Sequence, residues 1–148
     1  MSLPEGWFRA EPDSSTIQAP RLLARHFVHP DDLDRQIAFY ERAFGVRCDA
    51  RTPIPEARLE LATVGNLLLI GNPRQAGETA LATAYTLLVA SVAEYVVHLD
   101  GTGTELTEPV STGRTGSRAR VRYPDGTLVE LLDYRPLPEE LDTPSGSG

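Results

Sequence analysis

Apolar and polar positions change their spacing several times along the chain, and they do so in the same order twice. Residues 21–29 alternate as a strand does. Leu33, Ile37, Tyr40 and Phe44 then recur at helical spacing, behind Asp31 and Asp32, either of which suits an N-cap. Gly45 suits the end of that helix. Strands are expected near 46–51, at 57–64 and at 67–70, the last two joined by a Gly65-Asn66 turn. In the second half, 83–90 reads as a strand. Ser91 and Glu94 fit a capping box, Val92, Val96 and Leu99 form an apolar stripe, and Gly101 closes the helix. A strand near 105–110, a glycine-rich loop at 111–116 and a hairpin over 118–133 follow. The hairpin turns at Tyr123-Pro124-Asp125-Gly126, where proline fixes φ and Asp-Gly tolerates the corner.

The pattern predicts an α+β fold of two βαβββ modules, 21–72 and 80–135. Each would be a curved sheet with a helix on its outer side, the concave faces lining a cleft. Residues 72–79, marked by Pro73 and Gly77, read as the linker. Residues 1–20 read as a proline-bearing arm with Trp7 and Phe8 as its docking groups, and 136–148 as a flexible acidic tail.

Composition narrows the partners. The chain has 148 residues and a net charge of −7, with a pI near 4.9. Nucleic acid and anionic membrane are therefore not expected partners. No apolar run approaches the ~18 residues of a membrane span. Cys48 is the only cysteine, which excludes an internal disulfide or a cysteine zinc site and fits a structural strand residue. The first seven residues lack a basic region followed by an apolar run, so a cytoplasmic location is expected.

Chemistry centres on Glu130, a carboxylate among apolar neighbours on the last strand. Such a group is costly unless paired, metal-bound or ligand-bound. It is either a polar anchor for a ligand or an acid buried with an arginine. Arg118, Arg120 and Arg122 share one face of the preceding strand. Pairing or solvation is the expected role of these arginines, with Arg120 the one nearest the cleft. Gly113 to Gly116 has neither the lysine nor the following helix of a phosphate loop and reads as a flexible loop at the cleft mouth.

Two segments carry a resemblance. Phe27 to Gly45 reads as a strand, an acidic cap, a helix containing Phe39-Tyr40 and a terminal glycine. Tyr123 to Leu131 is a Pro-Asp-Gly hairpin ending in Glu-Leu. In this order and spacing the body of the chain resembles the vicinal oxygen chelate superfamily. That superfamily includes glyoxalase I, extradiol dioxygenases, fosfomycin-resistance enzymes and bleomycin-resistance binding proteins. The resemblance implies a glyoxalase-like fold and a homodimer. In metal-dependent members it also implies histidine and glutamate ligands on the first and last strand of each module. Glu130 matches one such position. Aligning the two hairpins on Gly65 and Gly126 makes Leu69 its counterpart, and Leu23 and Ala84 fall on the other two. None of these three can ligate. His26 falls on the opposite face, unless the register slips by one. His29 is expected near solvent and His98 in the last turn of the second helix.

The function expected from this pattern is metal-free binding of a small aromatic or amphipathic molecule, similar to the bleomycin-resistance type, with no cofactor. Leu23, Arg25, Phe27 and Leu69 would line the cleft in the first module, and Thr86, Leu88, Arg120 and Glu130 in the second. The alternative is a metal-dependent lyase, isomerase or dioxygenase using His26 and Glu130. A metal-free enzyme with Glu130 as base and an interaction module without a small ligand complete the set.

Overall fold

The computed structural model of the chain describes residues 12–54, 59–72 and 78–136. The elements are β1 (Arg21–Val28), α1 (Pro30–Phe44), β2 (Cys48–Ile54), β3 (Leu59–Val64), β4 (Leu67–Gly71), α2 (Glu78–Ala82), β5 (Tyr85–Leu88), α3 (Val92–His98), β6 (Glu105–Gly113), β7 (Gly116–Arg122) and β8 (Leu128–Leu132). The order βαβββ thus occurs twice, with α2 between the two runs. The described residues fall into two compact units. Unit 1 holds 24–54 and 59–72, and unit 2 holds 13–23 and 78–136. The expectations for Trp7 and Phe8, and for most of the linker and tail, lie outside the described residues.

In unit 1, β3 pairs antiparallel with β2 and β4, and β4 pairs parallel with Ala24–Val28 of β1. α1 lays Leu33 and Ile37 against Ala62, Val64 and Leu69. Its N-cap is not an aspartate. His29 Nδ1 accepts from the Asp31 N–H at 3.1 Å and Pro30 opens the helix, which leaves both aspartates in the first turn. Proline needs no partner for its missing N–H at that position. Gly45 ends the helix in the left-handed region at φ 70, and its N–H reaches the Glu41 carbonyl.

In unit 2, the first three residues of β1 pair antiparallel with β5, and β5 pairs parallel with β8. Antiparallel β7 and β6 complete this sheet. α3 starts at the Ser91 cap and covers one face of it. Val92 packs there with Ala119, Val121, Val129 and Leu131, backed by Tyr95 and Val96. The strand expected at 83–90 is confined to 85–88, because 78–82 form α2 and Thr83 bonds back to it. The glycine-rich loop is a tight hairpin instead. Gly113 pairs with Gly116 across a two-residue turn. Gly116, at φ +134, lies so close to Asp133 that an added Cβ would stand 2.1 Å from the Asp133 carbonyl oxygen.

Two polar side chains organise the edges of unit 2. Asp133 is buried; its carboxylate accepts from Val92 N–H at the start of α3 (2.8 Å) and from Ser117 N–H (2.7 Å). Ser14 is fully buried, donates to the Val89 carbonyl (2.8 Å) and accepts from the Tyr134 N–H (2.9 Å). The C-terminal part of the expected arm is therefore fastened to unit 2.

Candidate functional site

Strand register decides which side chains share a face. In unit 2, Leu23 stands opposite Thr86, Thr86 opposite Glu130, Glu130 opposite Arg120, and Arg120 opposite Glu108. These five form one row across β1, β5, β8, β7 and β6. Directly opposed residues point the same way and neighbours along a strand point the other way. Ala119, Val121, Val129 and Leu131 face α3, so the row lies on the face turned away from α3. Leu88 and Leu128 share that face by period two. Of the expected site residues, the register brings Leu23, Thr86, Leu88, Arg120 and Glu130 together.

The polar part of the row is internally bonded. Thr86 Oγ1 donates to Glu130 Oε1 at 3.0 Å. Arg120 Nε donates to Glu108 Oε1 at 3.0 Å, its Nη1 donates to Thr83 Oγ1, and its Nη2 is 3.8 Å from Glu130 Oε2. The last distance is an ion-pair contact rather than a hydrogen bond. Arg120 is 12% exposed and Glu130 16% at the side chain, whereas Glu108 is 55% exposed. Glu130 is thus an acid paired with an arginine, one of the two roles its apolar setting leaves open. Glu108 and Thr83 carry no sequence signal for this role. The β6–β7 register shifts on both sides of Glu108, and Thr83 falls just outside β5.

Unit 1 requires one correction. Leu69 stands opposite His26 and Ala62, and packs with Leu33 and Ile37 beneath α1. It does not share the face turned away from the helix. Arg25, opposite Leu68, and Phe27, opposite Ile70, do lie on that face, with the Arg25 guanidinium 5.6 Å from the centre of the Phe27 ring. The alignment on Gly65 and Gly126 misleads because the turns differ in length. Val64 pairs with Leu67 across two residues, whereas Arg122 pairs with Leu128 across five. The odd difference of three reverses the face. Arg25 opposite Leu68 is the counterpart of Thr86 opposite Glu130, so Leu68 occupies the equivalent position.

The four positions that the resemblance assigns to a metal are therefore Leu23, Leu68, Ala84 and Glu130. Three have no donor atom, and the fourth is a carboxylate beside a guanidinium, which opposes a second cation. This donor set does not fit a divalent metal. His26 does not rescue it. Its ring packs edge-on to Tyr40 at 6.1 Å, on the α1 side. Among the described residues no three histidine, cysteine, aspartate or glutamate side chains converge as metal ligands.

Cys48 donates to the Ala50 carbonyl, and burial pushes its thiol up to about 11. That favours the thiol over the thiolate and suits a structural role. The Tyr123 phenol is also raised, first by burial and then by hydrogen bonding with Tyr95 and Tyr85. No helix among the described residues is long and apolar enough to cross a membrane.

A family model described as Glyoxalase/Bleomycin resistance protein/Dioxygenase superfamily matches residues 23–131. No curated protein sequence matches the chain. Among solved structures, an uncharacterized protein from Methanosarcina mazei is similar at 29% identity and a TM-score of 0.69, over 79% of this chain and 94% of that one. Methylmalonyl-CoA epimerase from Mycobacterium tuberculosis is similar in fold at 16% identity and a TM-score of 0.56, over 88% and 95%. A variant of the Streptomyces coelicolor methylmalonyl-CoA epimerase, bound to 2-nitronate-propionyl-CoA, gives 18% identity and a TM-score of 0.52, over 80% and 100%. The fold is α+β and glyoxalase-like.

Proposed function

The chain belongs to the Glyoxalase/Bleomycin resistance protein/Dioxygenase superfamily, and on that footing we propose that it binds a small aromatic or amphipathic molecule without a metal. Membership alone does not select a reaction, because one fold hosts many. The observation that supports binding is the row on the face of unit 2 turned away from α3. Thr86, Glu130 and Arg120 form a bonded polar strip, framed by Leu23, Leu88 and Leu128. Apolar walls with a few oriented polar groups are what a small-molecule site needs. Leucine and alanine at three of the four positions that would hold a metal support the metal-free reading. Arg25 and Phe27 are the candidate contacts in unit 1. A cytoplasmic homodimer is the proposed setting.

The test is thermal melting against a panel of aromatic amphiphiles, with and without chelator. Protection that persists in chelator is the expected result, and Phe27→Asp is expected to weaken it. Protection that vanishes with chelator and returns with a divalent metal would favour the metal-dependent lyase, isomerase or dioxygenase reading.

A further inference from the structure

We propose that the β6–β7 ribbon carries an oxyanion site for a carboxylate or phosphate group, centred on the Nε of Arg120 and flanked by Arg118 and Arg122, with Glu108 holding the place of the ligand's anion. The site goes beyond the binding reading above and does not need an aromatic ligand on the row.

Period two puts Arg118, Arg120 and Arg122 on one face of β7, spaced by about 7 Å along the strand. Across from them on β6 stand Ser111, Glu108 and Glu105. Arginines therefore outnumber carboxylates on this face of the ribbon, in a chain whose net charge is −7. Arg118 and Arg122 are exposed. Among the described residues neither guanidinium makes an ion pair or a hydrogen bond, although Glu105 stands opposite Arg122. Both cations are open to an anion from solution.

Arg120 supplies direction. Its Nη atoms are held by well-covered groups: Nη1 donates to Thr83 Oγ1, and Nη2 lies 3.8 Å from Glu130 Oε2. Thr83 is buried and fixed in turn by its bond to the Thr79 carbonyl at 2.7 Å. Nε instead donates to Glu108 Oε1 at 3.0 Å. Glu108 is 55% exposed, against 12% for Arg120, so Glu108 is the partner that can leave for water. Pairs with so exposed a member are weakly held. The register also shifts on both sides of Glu108, and a bulge interrupts the ladder bonds that would hold the backbone there. With Glu108 swung out, the Nη contacts keep Nε aimed, and an incoming oxyanion accepts in place of Oε1. Guanidinium groups suit carboxylate and phosphate alike.

Glu108→Ala removes a methylene and its carboxylate, and acetate returns that fragment. Thermal melting of the full chain at neutral pH compares wild type with this variant in chloride, acetate and inorganic phosphate of equal ionic strength. In chloride the variant is expected to melt below wild type. Acetate or phosphate is expected to raise its midpoint by about 3 °C more than that of wild type, the shift for an anion present at roughly five times its dissociation constant. A larger rescue by acetate assigns the site to a carboxylate, and a larger rescue by phosphate to a phosphate group. Equal shifts in both proteins, or none in the variant, would overturn the site. If Glu108→Ala does not fold, wild-type chain is labelled with the arginine reagent phenylglyoxal, with and without inorganic phosphate. Labelling of Arg118 and Arg122 is then expected to slow by about twofold, as half occupancy gives, while exposed Arg42 is unaffected. Equal effects at all three arginines would rule the site out.

Discussion

Arg120 and Glu130 are each largely withdrawn from water, so neither tolerates loss of the other. Arg120→Ala removes the guanidinium that bonds Glu108 and Thr83 and pairs with Glu130, and is expected to destabilise the protein by about 2–3 kcal/mol in urea unfolding. The double variant Arg120→Met with Glu130→Leu removes both charges at matched volume and is expected to recover most of that loss. A double variant as unstable as the single one would mean that shape, not charge, governs the row. Cys48 gives a pH signature. Its raised pKa means that the folded chain holds the thiol proton more tightly than the unfolded chain does. Stability from this group is full below the ordinary thiol value of 9.0 and falls as pH rises towards about 11. Cys48→Ala is expected to flatten that decline, and native protein to alkylate far more slowly than unfolded protein at mildly alkaline pH. These residues show where single-residue reading succeeds. Alternation alone was enough to put Thr86, Leu88 and Glu130 on one face. It failed at Leu69 because a face assignment inherits the parity of the preceding turn, and turn length is not visible in apolar spacing.

At the scale of elements, Asp133 links the start of α3 to the start of β7 through two backbone N–H groups. Asp133→Ala removes a buried carboxylate and leaves both N–H groups unsatisfied, an expected loss of about 3 kcal/mol. Glu94→Ala, by contrast, is expected to cost less than about 1 kcal/mol, since the Ser91 cap remains. Equal losses in thermal unfolding would contradict the linking role of Asp133. Helices α1 and α3 were legible from their stripes and from Gly45 and Ser91. His29 as the α1 cap was not, because imidazole is an uncommon cap beside two aspartates. α2 was not legible either. Its five residues fall short of two helical turns, and an apolar period needs more than that to appear. The hairpin at Gly113–Gly116 was read as a loop because glycine weakens the strand signal that pairing with Ser117 and Arg118 restores.

For the whole molecule, the repeated βαβββ order was legible because each module writes the same sequence of periods. The division of β1 was not. Residues up to Leu23 pair with β5 and residues from Ala24 pair with β4, and partners so distant in sequence leave no mark on local spacing. The two units also differ in chemistry. Unit 2 carries Glu130 where unit 1 carries Leu68, so the duplication supplies one carboxylate rather than a symmetrical donor set. The metal-free binding proposed above rests on that asymmetry, and metal content tests it most directly. Elemental mass spectrometry of untagged protein, never exposed to chelator, is expected to find divalent metal far below one equivalent in chain that is folded. Near-stoichiometric metal, lost in Glu130→Ala, would contradict it.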